Sequence, residues 1–305
     1  MTAATTPVAM PTEGRTLNGA SAPRGARLRR LLRDIPVNSV LLVVALLWLI
    51  PGVGLAVTSL RTNQDYGTSG WWRGLFVNPG SLSFQGYRDL FSSGGIGDAI
   101  KTTAAITVPT TILVVVLASL AAYALVFIDW RGRDVVFIGI VALMVVPLQM
   151  ALIPISSLYG NIGLYGNIYG VILFHTAFGL PFAIFLMRNF YIGIPKDLLE
   201  AARIDGAGDA LIFTRIVLPL GWPAMASLAI FEFLWVWNDL LVALVFLASS
   251  PHVPLTIAIF SQLRQFDNNI AIIGPASMIS MIIPLAVFLA FQRYFVRGVL
   301  AGAVK

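Results

Sequence analysis

The stretch TTAAITVPTTILVVVLASLAAYALVFI, residues 102–128, runs for 27 residues without Asp, Glu, Lys, Arg or His. An α-helix rises about 1.5 Å per residue, so about 20 apolar residues cross the roughly 30 Å hydrocarbon layer of a bilayer. Outward from this stretch, five more apolar runs occupy residues 39–60, 135–156, 168–187, 222–247 and 270–291. The chain of 305 residues is 58% hydrophobic and 11% charged, less than half the charge of a typical soluble domain. The predicted fold class is all-α integral membrane, with six transmembrane helices. The third and fourth runs are joined by LYGNIGLYGN (158–167), short and uncharged, which suits a tight turn at a membrane interface.

Orientation follows from the basic residues. One side collects Arg15, Arg24, Arg27, Arg29, Arg30, Arg33, Arg131, Arg133, Arg188, Lys196, Arg203, Arg215, Arg293, Arg297 and Lys305. The other holds Arg61, Arg73, Arg88, Lys101 and Arg264. Cytoplasmic loops carry the excess of Lys and Arg, so both termini are expected inside. Residues 1–34 read as a disordered cytoplasmic tail, rich at their start in Ala, Thr, Pro and Gly, and residues 35–305 as the membrane domain. The first apolar run exceeds the 7–15 residues of a signal-peptide core and is expected to be a retained helix. The absence of cysteine excludes disulfides, thiolate metal sites and a Cys nucleophile.

The cytoplasmic loop 188–222 departs from the rest. Pro195 suits the start of a helix, with Asp197 and Glu200 placed where the helix dipole favours acids. Leu198, Leu199, Ala201, Ala202 and Ile204 supply an apolar side, and Gly206 and Gly208 stop the helix. Asp209 is expected to cap a second short helix that Pro219 ends. An ordinary helix lying on the bilayer would carry mainly Lys and Arg on its polar face. This loop instead matches its four bases with four acids, Asp197, Glu200, Asp205 and Asp209, and sets small Ala at its centre, which fits a knob for a protein pocket as well as it fits a connection.

Glu200-Ala201-Ala202, Asp205-Gly206-Ala207 and Ile216-x-Leu218-Pro219 together resemble the EAA signature of binding-protein-dependent ABC importer permeases. The wider context from Pro195 to Ala207, Trp237-Asn238-Asp239 and the ending Arg297 to Lys305 are similar to the carbohydrate branch, the maltose-type second permease subunit. The resemblance implies a type I importer fold and a multi-pass protein of a prokaryotic cytoplasmic membrane. It implies as partners a homologous second permease, two ATP-binding ABC subunits beneath, and an extracytoplasmic sugar-binding protein that delivers a di- or oligosaccharide. It also implies that Glu200, Ala201, Ala202, Asp205, Gly206 and Ala207 couple this chain to the ATPase. No G-x-x-x-x-G-K-[ST] occurs, so ATP is expected to be hydrolysed by the partners, with no cofactor, metal or enzymatic activity in this chain. Ser69-Gly-Trp71-Trp72 in the outer loop resembles α-glucoside permeases; the two Trp residues equally suit interfacial anchors.

Ionisable residues inside a membrane are costly and so are candidate functional groups. Glu232, Trp235 and Asp239 recur at i, i+3 and i+7 in the fifth run, on one helical face. A carboxylate beside an aromatic ring suits a sugar, while the alternative is a bond to a neighbouring helix. Asp239, beside Asn238 and near the outer interface, reads as a structural or gating residue. Gln149 and His175 are further substrate-pathway candidates, although a lone His more often bonds between helices. Pro147 to Pro154 and Gly179 to Pro181 are candidate hinges.

Three rival functions remain at this level: an ABC importer permease for a non-sugar solute, a polytopic glycosyl- or acyltransferase, and a self-contained secondary transporter. The loops lack His-x-x-x-x-Asp, Asp-x-Asp and His-Glu-x-x-His, which the transferase would need. No repeated halves are visible, which the secondary transporter would be expected to show. Nucleic acid is not an expected partner, because the basic excess follows membrane topology.

Overall fold

Residues 24–62, 69–92, 95–265 and 270–303 are described in a computed structural model, and all their regular structure is helical. Two units divide the chain, Met1–Val53 and Gly54–Lys305. Residues 24–53 of helix α1, Arg24–Thr58, are the described part of the first, and the last turn of α1 belongs to the second. It reaches back to Arg24, so the tail boundary expected at residue 34 falls inside a helix; residues 1–23 lie outside the described residues. Pro36 and Pro51 sit within it.

In the second unit, two short helices, α2 (Trp71–Phe76) and α3 (Gln85–Ser92), precede the long α4 (Ile96–Phe127). Residues 63–68, between α1 and α2, lie outside the described residues. Next come α5 (Arg133–Leu143), α6 (Leu148–Ile162) and α7 (Ile168–Tyr191). The loop helices are α8 (Lys196–Ile204) and α9 (Asp209–Ile212). A π-helical turn, Phe213–Val217, leads into α10 (Leu218–Trp237). The chain finishes with α11 (Leu241–Leu247), α12 (Leu255–Gln265) and α13 (Ile270–Ala303).

Among the described residues, five helical segments are long and apolar enough to span: Pro36–Thr58, Ile96–Phe127, Ile168–Tyr191, Asp209–Trp237 and Ile272–Arg293. The third expected run is not one straight helix. It is the pair α5 and α6, bent by 96°, which makes a sixth span if counted as one. The cause is local. Bonds from Met144, Val145 and Val146 to carbonyls three residues back tighten the end of α5, and Pro147 then turns extended at φ −65°, ψ 128°. Proline offers no N–H and pushes its predecessor out of the α region, so the ladder cannot continue. The other candidate hinge is absent as a break: α7 runs unbroken through Gly179 and Pro181.

The fifth run also differs from expectation. Its helix begins at Asp209 rather than near residue 222, because Pro219 does not end α9. The wide π turn before it takes in Arg215, the residue four back, whose carbonyl the proline ring would otherwise strike. At the far end α10 stops at Trp237, so residues 241–247 form the separate helix α11.

α4 and α7 pack most extensively, with Ala118, Ala122 and Ala183 fully buried between larger side chains. Small residues let membrane helices approach closely where no hydrophobic drive exists between them. One buried cluster joins the loop-side halves of α4 and α7 to Leu199 of α8, Ile212 of α9 and Leu228 of α10. A second, around Phe174, Val236 and Phe246, fills the opposite end.

Candidate functional site

The α8 loop is built around a left-handed glycine. Asp205 closes α8, Gly206 takes φ +86°, and its N–H bonds the Arg203 carbonyl at 3.0 Å. Ala207 N–H reaches back to the Ala202 carbonyl at 2.9 Å. These two bonds are the Schellman pair that satisfies the last carbonyls of a helix. Asp209 is not the cap of the next helix: Gly208 is, and the Asp209 side chain is used elsewhere.

Its Oδ1 accepts from the Tyr123 hydroxyl at 3.0 Å and from Arg203 Nη2 at 3.1 Å. Arg203 also donates to the Phe127 carbonyl at 3.1 Å, so the loop is tied to the end of α4. The hydrogen bond to the Asp209 carboxylate raises the Arg203 pKa above its ordinary value. Leu199 anchors the loop from below at 2% exposure, and Ala202 and Ala207 pack half-buried on the same cluster.

Of the apolar side expected for α8, only Leu199 and Ala202 turn inward. Leu198, Ala201 and Ile204 face out with Glu200 and Asp205, and Ile204 is 86% exposed at the tip. Hydrophobic periodicity on a nine-residue helix gives no means of telling which of two apolar faces meets its own chain. The α8 surface offers small and apolar side chains flanked by two carboxylates, ahead of a hydrogen-bonded glycine turn.

The substrate-pathway candidates do not converge on one point. Asp239 lies beyond α10, not on its face, and its carboxylate accepts the N–H groups of Val242 (3.3 Å) and Ala243 (3.0 Å), capping α11. Its Oδ2 also stands 3.5 Å from His175 Nε2 on α7. The Trp235 ring meets the His175 ring edge-on at 5.0 Å between centroids. Thr256 donates to the Asp239 carbonyl and Thr103 accepts from Leu255 N–H, so α4, α7, α10 and α12 meet at this node. It is a meeting point of helices.

Glu232 is 4% exposed and points at α7, not at the node. A Cβ on Gly179 would come within 2.7 Å of its Oε1, so the glycine provides the niche the carboxyl fills. Oε1 has no hydrogen-bond partner among the described residues. Gln149 is exposed in the first turn of α6. Asn238, exposed at the end of α10, donates to the Leu234 carbonyl and lines a groove of ≈ 640 Å³ with Thr256, Ser277 and Ser280. Ser277 and Ser280 went unread in the sequence, where serines in an apolar helix carry no signal of the direction they face.

Among the described residues no group of three His, Asp or Glu side chains is placed to hold a metal. The family profile described as "Binding-protein-dependent transport system inner membrane component" matches residues 114–300. The "Osmoprotective compounds uptake permease protein GgtD" of Synechocystis is 44% identical over 90% of this chain and 93% of its own. The "Alpha-glucoside transport system permease protein AglG" of Rhizobium meliloti is 44% identical over 75% of this chain and 62% of its own. In fold, the chain is similar to a protein in the crystal structure of a bacterial ABC transporter that imports the acidic polysaccharide alginate. That match has TM-score 0.74 and 24% identity, over 90% of this chain and 99% of the other.

Proposed function

This chain belongs to the family of binding-protein-dependent transport system inner membrane components, and we propose that it is the permease subunit of an ATP-driven sugar importer. Its partners in this reading are a homologous second permease, two ATPase subunits and an extracytoplasmic sugar-binding protein. The chain itself performs no catalysis. The observation that carries the reading is the α8 loop: Ile204 and Ala201 stand exposed between Glu200 and Asp205, while Leu199, Arg203 and Asp209 fasten the loop to α4 and α10. Such a surface receives a push from outside and passes it to two spans. Closure of the ATPases on ATP drags the loop, and the spans re-orient between inward and outward access.

The sugar class rests on the α-glucoside permease among the relatives. An osmoprotective solute outside the α-glucosides is the second reading, favoured by the equally identical osmoprotective-compound permease from Synechocystis. Uptake by the reconstituted assembly decides between them. ATP- and binding-protein-dependent accumulation of labelled α-glucosides is expected, and accumulation of an osmoprotective solute alone would replace the α-glucoside reading. Glu200→Lys and Gly206→Pro are expected to abolish uptake and release the ATPases during purification while the chain stays in the membrane. Full ATPase retention with wild-type uptake in Gly206→Pro would reduce the loop to a tether.

A further inference from the structure

At the end of the spans that carries the α8 loop, the end of α4, the starts of α5 and α8 and the end of α7 enclose a cavity of ≈ 170 Å³. Arg133, Arg188 and Lys196 line it, with Asp134 as the one acid. Arg188 is half-buried, its guanidinium carbon 3.9 Å above the Phe137 ring. Its Nε is buried, and its side chain makes no hydrogen bond or ion pair among the described residues.

A guanidinium stays charged and carries five N–H donors. The ring beneath it offsets part of the desolvation through cation–π attraction but accepts from none of those donors. A half-buried cation in that condition calls for an anion. Arg133 is occupied by Asp129, an i, i+4 pair. Lys196 is exposed with no ion pair among the described residues, and Asp134 reaches none of the cations within 4.0 Å. Three cations against two carboxylates leave one positive charge over. A phosphodiester brings one negative charge and several acceptor oxygens in a form that suits a guanidinium fork.

The position says where that phosphodiester comes from. Val135, Val136 and Ile192 are exposed apolar residues at the cavity, next to the ends of the candidate spans Ile96–Phe127 and Ile168–Tyr191. Basic pockets between helices at a membrane surface hold acidic headgroups. We propose that Arg188, with Lys196 and Arg133, binds the phosphodiester of an anionic lipid headgroup at the junction of α7 with the α8 loop. This site is independent of which solute is carried.

The test uses the assembled complex in nanodiscs of phosphatidylcholine mixed with phosphatidylglycerol, with native mass spectrometry counting phosphatidylglycerol that survives delipidation. Wild type is expected to retain it, and Arg188→Gln to weaken retention about fivefold or more, the loss of one charge at such a surface. Lys196→Gln, at an exposed position that does not threaten folding, should weaken it in the same direction. Retention equal to wild type in both variants overturns the proposal. Displacement of the retained lipid by inorganic phosphate reassigns the cavity to a free anion and also overturns it. So does a zero-length cross-link between an Arg188→Lys side chain and a carboxylate of another subunit, which makes the missing anion a protein group.

Discussion

A single missing methyl group decides how Glu232 is used. Gly179 leaves the space in α7 that the Glu232 carboxyl occupies, and a Cβ there would stand 2.7 Å and 3.0 Å from its two oxygens. Overpacking of this kind costs about 1–3 kcal/mol. Gly179→Ala is therefore expected to lower the thermal midpoint of the purified complex. Gly139→Ala, on a helix face with nothing within 4 Å, should leave it unchanged or raise it. Combining Gly179→Ala with Glu232→Ala should recover part of the loss, because the two groups share one space. Strictly additive losses would show that they do not. The same variants separate the two meanings of Glu232. If it only fills the α7–α10 seam, Glu232→Gln transports like wild type; if it meets the solute, uptake falls while assembly holds.

The α8 loop sets the corresponding question for an element. Gly206 at φ +86° is the one residue of the turn that no side chain fits without strain, since a left-handed L-residue costs roughly 1–2 kcal/mol. Gly206→Ala should thus loosen the turn, where Gly206→Pro breaks it. Arg203 is a subtler part. Its pair with Asp209 is exposed and adds little to stability, yet the same guanidinium holds the Phe127 carbonyl. Arg203→Ala is expected to leave the thermal midpoint within a degree or two of wild type and to lower solute moved per ATP hydrolysed several-fold, because the loop then slips against α4. Simultaneous measurement of phosphate release and uptake in proteoliposomes checks this. An unchanged ratio places the mechanical contact elsewhere, with Leu199 and the buried cluster as the next candidates.

For the whole molecule, the distribution of Lys and Arg predicts both termini and the α8 loop on the cytoplasmic side. The cysteine-free chain makes the measurement clean. An impermeant thiol reagent added to intact cells should label Ser81→Cys, between α2 and α3, and leave Asp205→Cys untouched. Inverted vesicles should reverse the pattern. Labelling of Asp205→Cys from outside would invert the topology and remove the α8 loop from reach of any cytoplasmic ATPase.

The spans were legible in the sequence because bilayer thickness imposes one length on any crossing helix, whatever it packs against. The glycine turn at Gly206 was legible too, since its backbone conformation is a local matter. The 96° bend between α5 and α6 was only half-legible: Pro147 announces a stop, but hydropathy runs through it without a break. What the sequence left open were the questions settled by a neighbour. Asp239 shares a helical period with Glu232, yet the end of α10 at Trp237 makes it a cap for α11. Leu198 and Leu199 are equals in composition, and only the packing of α8 on the α4–α7 cluster buries one and exposes the other. Length and local conformation are properties of a segment, so the sequence determined them. The direction a side chain faces is a property of two segments at once, and that was decided by tertiary structure alone.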